Sequence, residues 1–164
     1  MPVVAITGSN GKTTTKEMTA HVLSAAGKVL WPKKSFNNFI GLPLTLFDLA
    51  PDTAFAVLEM GTSAHGEIGR MCDIARPGIG VVTNIGPTHL EKLKNLEGVA
   101  SAKAELIDSL PKDGTAILNA DDPWCMNLRK RCTCRTVTFG TSESADIRAT
   151  DIHADEKGVR FVTS

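Results

Sequence analysis

Residues 3–15 read VVAITGSNGKTTT, and this stretch decides the fold. Val3–Thr7 is an apolar, β-branched run closed by glycine, the pattern of a buried strand. Residues 13–26 then run without glycine or proline as far as Gly27, which predicts a helix ended by a glycine at C′. Between the two lies Gly8-Ser9-Asn10-Gly11-Lys12-Thr13. A strand, a glycine-rich turn and a helix in this order let backbone N–H groups converge on a phosphate, with the positive end of the helix behind them. Gly8 and Gly11 supply the permissive backbone, Lys12 a cation for β- and γ-phosphates, and Thr13 a hydroxyl for Mg²⁺. The common pattern G-x-x-x-x-G-K-[ST] also asks for a glycine where Ile6 stands, so this loop is the shorter by two residues. The shortening changes curvature and removes no chemical group. The competing reading is a capped helix start with a surface lysine.

Outward from this unit, strands and helices keep alternating. Short strands are predicted over residues 28–31, 54–60, 79–84 and 136–139, and over Thr115–Asn119, with helices over 41–49, 96–110 and 123–130, and over Glu67–Ala75. Residues 32–38 read as a polar loop. The alternation implies an α/β fold of P-loop type: three layers, a mostly parallel sheet and helices on both faces. Residues 146–152 and 159–163 flank HADEKG and predict a C-terminal β-hairpin.

The 164 residues fit one domain with a real core, at 42% hydrophobic and 22% charged content. Eighteen Lys and Arg balance eighteen Asp and Glu, which gives no basic surplus for nucleic acid. No apolar run reaches the ~20 residues of a membrane-spanning helix, and the first residues carry no signal-peptide pattern, so membrane insertion is not expected and a cytoplasmic monomer is. Cys72, Cys125, Cys132 and Cys134 lack zinc or redox spacing and read as reduced thiols, with only Cys132-Thr133-Cys134 leaving room for an accidental disulfide or metal contact.

In a parallel sheet, sites collect residues at the carboxyl ends of strands. Glu59 ends one such strand and is placed to hold Mg²⁺ through oxygen, or is a solvated strand-end glutamate. VVTNIGPTHLE ends another and offers Asn84, His89 and Glu91; ILNADDP ends a third with Asn119, Asp121 and Asp122, where capping of the next helix is a serious alternative. Lys103 falls in the middle of the apolar stripe formed by Leu96, Val99, Ala100, Leu106, Ile107 and Leu110. A buried lysine is costly unless paired, modified or reaching water along its stem. Spacing leaves open a snorkelling ammonium and a carbamate made with carbon dioxide, which would replace a cation by an oxygen ligand.

Taken together, TGSNGKTTTKEM, FNNFIGLPLTLFDL, LEMGTSAHGEIGRM, VVTNIGPTHLEKL, ASAKAEL and ILNADDP resemble the central ATP-binding domain of the Mur ligases, ATP-dependent amide ligases of peptidoglycan synthesis. The resemblance covers most of the chain, about residues 4–152. That family's phosphate loop is the short form, G-x-x-G-K-[ST]. The resemblance implies that Gly8, Ser9, Asn10, Gly11, Lys12, Thr13 and Thr14 bind ATP, with Asn119 and Asp122 also near the nucleotide. It implies that Thr13 and Glu59 bind one Mg²⁺, that His89 serves a second metal and the γ-phosphate, and that Lys103 holds the carbamylated-lysine position, so Lys12, His89 and Lys103 carry the catalysis. Asn37 and Asn38 lie in a segment similar to the substrate-facing one. Within the family the pattern is most similar to the member that adds D-Ala-D-Ala to a UDP-muramoyl-peptide; folylpolyglutamate and cyanophycin synthetases fit less well. Two departures follow: residues 1–164 correspond to a single, truncated central domain, and the N-terminal UDP-substrate domain and the C-terminal domain are absent. Such a piece is expected to be inactive in ligation by itself, and an isolated nucleotide-binding module is the alternative from another class. A kinase or GTPase is disfavoured because Asn-Lys-x-Asp is missing and Glu59 stands where an aspartate is usual.

Overall fold

Strands and helices alternate as β1 (Val3–Thr7), α1 (Lys12–Ser24), β2 (Lys28–Leu30), α2 (Gly41–Leu46), β3 (Thr53–Glu59), α3 (Glu67–Ala75), β4 (Ile79–Val82), α4 (Leu90–Leu93), α5 (Leu96–Asp108), β5 (Thr115–Asn119), α6 (Pro123–Leu128), β6 (Arg135–Gly140), β7 (Ile147–Asp155) and β8 (Gly158–Thr163). The computed structural model describes residues 1–33, 36–156 and 158–164. Lys34 and Ser35, in the polar loop read over residues 32–38, and Lys157, in the HADEKG stretch of the sequence reading, lie outside the described residues.

The strands form one sheet in the order β2-β3-β1-β4-β5-β6-β7-β8. Pairing is parallel from β2 through β7, and only β7 and β8 run antiparallel. This is the expected three-layer α/β architecture with its terminal hairpin. All five residues of β1 are buried, which is why its sequence is apolar on both faces. Val4 and Ile6 pack with Val57, Val81 and Ala20 of α1, while Val3 and Ala5 pack with Leu58 and with Met71 and Ile68 of α3. The two-residue period of a strand thus sends alternate side chains into opposite layers. Helix α5 packs on that second face, with Leu106 against the β1 and β3 side and Ile107 against Val82, Ala116 and Leu118.

Several boundaries differ from the sequence reading. Helix α1 ends at Ser24, and its C-cap is Ala25. Gly27 therefore is not the C′ residue; it is required because a Cβ there would lie 2.7 Å from that of Ala54. Strand β4 stops at Val82 because Thr83 and Asn84 turn to bind the glycine loop. The last turn predicted for α6 is a 3₁₀ turn, Arg129–Arg131, and α4 had no sequence signal. The four cysteines are free thiols, and among the described residues no helix is long and apolar enough to cross a membrane.

Candidate active site

The glycine loop is clamped from one side by the segment that follows β4. Ser9 N–H donates to the Asn84 carbonyl (2.9 Å) and Asn10 N–H to Asn84 Oδ1 (2.9 Å). The Thr83 hydroxyl donates to the Asn10 carbonyl (2.6 Å), and Ser9 Oγ exchanges hydrogen bonds with the backbone of Gly86 (2.8 Å each way). The loop lies so close to β4 that a Cβ on Gly8 would sit 1.8 Å from Thr83 Oγ1. Gly11, with φ of 79°, caps α1 in the left-handed conformation that glycine adopts without strain. No side chain caps this helix start. Its first N–H groups therefore lack the partner that a Ser, Asp or Asn cap would bring, as an anion site requires.

Lys12 bends back over the loop, donating from Nζ to the carbonyls of Gly8 (2.9 Å) and Ser9 (3.2 Å). Thr13, next on the helix, donates from Oγ1 to Glu59 Oε2 (2.8 Å), and the other oxygen, Oε1, accepts from Asn37 Nδ2 (2.8 Å). Glu59 ends β3 and is only 2% exposed, so the solvated strand-end alternative does not apply. A cavity of about 530 Å³ opens beside these groups, and Gly8, Lys12, Asn37, His89 and Lys103 are all in its wall. Ser9 and Asn38 line it as well. Asn10, Gly11, Thr13 and Thr14 complete the loop and the first helical turn outside that wall. Exposed His89 adopts φ of 53° and caps the short helix α4, which turns the chain at the cavity rim.

Lys103 has 3% of its surface exposed, so its stem does not carry the ammonium into bulk water. Burial, and next the ammonium of Lys12, push its pKa down from 10.5 to about 8. The shift raises the share of free amine, the form that can react with carbon dioxide, well above that of an ordinary lysine near neutral pH.

Asn119 and Asp122 stand apart from the cavity wall and are engaged with the scaffold. Asn119 Nδ2 donates to the Thr83 carbonyl (2.9 Å), which ties β5 to the loop-clamping segment. Asp122 caps α6 through the N–H groups of Trp124 (2.8 Å) and Cys125 (3.2 Å), and its second oxygen accepts from Ile85 N–H (2.6 Å). Asp121 accepts from the backbone of Thr141 and Ser142, which holds its carboxyl below the usual range. Asn38 Oδ1 accepts from the N–H groups of Ile40 and Gly41, just ahead of and at the start of α2.

Among the described residues no group of three or more His, Cys, Asp or Glu could hold a metal alone. Mg²⁺ asks for less: one or two protein oxygens, with phosphate and water completing an octahedron of ~2.1 Å bonds. Neighbouring ligands in that octahedron are about 3 Å apart. Thr13 Oγ1 and Glu59 Oε2, 2.8 Å apart beside the phosphate loop, match that edge.

Residues 6–164 match the family described as the Mur ligase middle domain. The chain belongs to the Mur ligase family. It is 43% identical to the UDP-N-acetylmuramoyl-tripeptide–D-alanyl-D-alanine ligase of Bacillus subtilis (strain 168), over 97% of this chain and 34% of that protein. It is 42% identical to the Escherichia coli (strain K12) ligase of the same name, over 97% of this chain and 36% of that one. The structure is similar to a crystal structure of MurF from Acinetobacter baumannii, with a TM-score of 0.89, 31% identity and coverage of 99% and 38%. It is also similar to MurF ligase from Thermotoga maritima solved in complex with ADP, with a TM-score of 0.82, 31% identity and coverage of 99% and 40%. This Mur ligase domain thus spans about a third of the length of the curated relatives it matches.

Two polar residues of this Mur ligase domain escaped sequence reasoning, one in the core beneath the loop helix and one in the cavity wall. Lys16 of α1 is fully buried, donating to the Pro32 carbonyl (2.6 Å) and pairing with Glu17 (2.9 Å). Its signal was its register with Ala20 and Leu23, one helical face turned to the core. Glu67 lines the cavity and gathers the loop after β3, accepting from Ser63 N–H (2.6 Å), Ala64 N–H (3.2 Å) and the Thr62 hydroxyl (3.0 Å). It read only as a helix start.

Proposed function

We propose that this chain is the ATP- and Mg²⁺-binding core of an amide ligase of peptidoglycan synthesis. The ligase activates the carboxylate of a UDP-muramoyl-peptide as an acyl phosphate, which the amine of D-Ala-D-Ala then attacks to give an amide, ADP and phosphate. The observation that carries this reading is the clamped glycine loop with Lys12, His89 and Lys103 at one cavity, and the Thr13–Glu59 oxygen pair bonded to its wall through Asn37. Similarity to ligases named for the tripeptide and D-Ala-D-Ala supports the choice of substrates. A substrate carboxylate and a γ-phosphate repel each other, so catalysis here consists of neutralising and aligning them. Lys12 would exchange the Gly8 and Ser9 carbonyls for phosphate oxygens. Thr13 and Glu59 would hold Mg²⁺, which when bound offsets phosphate charge. His89 and a carbamylated Lys103 would serve a second metal beside the γ-phosphate, and Asn37 and Asn38 would face the substrate. Asn119 and Asp122 would act near the nucleotide by holding Thr83 and Ile85, which shape the loop from behind.

Because the chain spans a third of its relatives, binding of the UDP-linked substrate and of the incoming dipeptide is assigned to further domains, and residues 1–164 alone are assigned nucleotide binding without ligation. ATP and UDP-linked precursors are made in the cytoplasm, and we assign the chain to it as a monomer. Thermal melting with ATP, ADP and Mg²⁺ tests the core claim. At a hundred times Kd, ligand adds about 2.7 kcal/mol of stability, a shift of several degrees. Lys12→Ala should abolish that shift and leave the unliganded melting temperature in place. A shift that survives Lys12→Ala would remove the loop from the mechanism. Joined to its further domains, the chain should make amide product from ATP, UDP-muramoyl-tripeptide and D-Ala-D-Ala; a parent that binds ATP and makes none would be a nucleotide-binding module.

A further inference from the structure

We propose that Asn37 is a positioning residue for the metal-binding carboxylate: its side-chain amide holds Glu59 Oε1 so that Oε2 alone is presented to Mg²⁺. The inference deepens the reading above and rests on it. The last torsion of a glutamate is broad and roughly two-fold, so nothing inside the side chain fixes the plane of its carboxylate. At Glu59 that plane is set by two donors from different elements, Thr13 Oγ1 on Oε2 and Asn37 Nδ2 on Oε1, each at 2.8 Å. Thr13 Oγ1 must turn a lone pair to the metal when both bind it. The Asn37 bond lies on the opposite oxygen and can persist through metal binding, so it is the one able to keep the carboxylate in place.

Asn37 is itself fixed from the strand that carries Glu59. Its backbone carbonyl accepts from Gly61 N–H (2.8 Å), two residues beyond Glu59. A Cβ on Gly61 would lie 3.1 Å from Asn37 Cγ, so glycine lets the asparagine side chain settle directly on the β3 extension. Asn37 also forms part of the cavity wall, and the same amide therefore touches both the space for ligand and the carboxylate that meets the metal.

The test measures ATP binding by calorimetry across a Mg²⁺ titration, on the 164-residue chain. A hydrogen bond to a charged group is worth about 1.5–3 kcal/mol, a factor of roughly ten or more in affinity. Asn37→Ala should raise the Mg²⁺ concentration for half-maximal ATP binding by about tenfold. Its unliganded melting temperature should fall, because Glu59 Oε1 loses a buried partner, so the titration is run well below that temperature, where ATP affinity in EDTA should change far less than affinity in Mg²⁺. In a Glu59→Gln chain, Asn37→Ala should add no further shift, because a residue acting through Glu59 has nothing left to orient. A Mg²⁺ requirement within about twofold of the parent, or an equal shift with and without Glu59, would overturn the proposal and leave the nucleotide site standing. An unaltered chain that binds no ATP, or binds it regardless of Mg²⁺, would overturn this proposal and the proposed function together.

Discussion

Replacing Lys103 by methionine should make the unliganded protein more stable at neutral pH while impairing its Mg²⁺-dependent chemistry. The side chain is 3% exposed on the apolar face of α5, and its pKa falls from 10.5 to about 8, first through burial and then through Lys12. In the unfolded chain the amine stays protonated up to its ordinary value; in the folded chain it gives up the proton near pH 8. Below pH 8 the fold therefore carries the whole cost of a buried ammonium, and that cost recedes as pH rises from about 8 to 10.5. Converted at 1.36 kcal/mol per unit, the shift amounts to roughly 3 kcal/mol. Methionine keeps a stem of similar length and removes the charge. Urea denaturation of both proteins from pH 7 to 10.5, in buffer free of carbon dioxide, should show Lys103→Met ahead by up to roughly 3 kcal/mol at pH 7, with the gap closing toward pH 10.5. The thiols of Cys72 and Cys125, pushed up by burial to about 11 and about 12, remove stability above pH 9. Cys125 interacts with Lys103, so the difference between the two proteins reports Lys103 alone only below pH 9, before either thiol titrates. Bicarbonate should narrow the gap near pH 8 if the amine is captured as a carbamate. A gap that stays constant across the pH range would refute the reasoning, because the lysine would then carry no shifted titration.

Gly8→Ala should cost the fold more than about 2 kcal/mol and abolish ATP binding, since the new methyl meets Thr83 Oγ1 at 1.8 Å and φ is already 150°. A variant melting within a degree or two of the parent would show that the loop is not held against β4 as described. Asp122→Ala strips the cap from α6 and the acceptor from Ile85, and should lower stability by about 1–3 kcal/mol in chemical denaturation. Its Kd for ATP, measured well below the melting temperature, should rise less than about tenfold, since Asp122 acts through Ile85 and not on phosphate; a loss of binding without loss of stability would make it a direct nucleotide contact.

How much could be read beforehand follows from the range of each interaction. The alternation of strands and helices, the buried character of Val3–Thr7 and the glycine loop were legible because strand period, helix period and left-handed glycines are local properties. Lys103 was legible as an anomaly because helical spacing put it on an apolar stripe. Helix α4 was not, because four residues after a left-handed histidine leave no period to detect. The double engagement of Asn119 and Asp122 was invisible for a different reason. Their partners, Thr83 and Ile85, are more than thirty residues away, and nothing local indicates which polar side chain a fold will spend on its own backbone.

By itself, then, the sequence determined an α/β sheet with a short phosphate loop and the chemical groups available at its strand ends. Only the tertiary structure decided which of those groups meet. Parallel pairing of β1 with β3 in the register Ile6↔Glu59 carries the carboxylate to the start of α1, within 2.8 Å of Thr13. Pairing of β1 with β4 sets Thr83 and Asn84 against the loop. A strand's register is fixed by what its two faces bury, and that depends on every layer of the sheet at once.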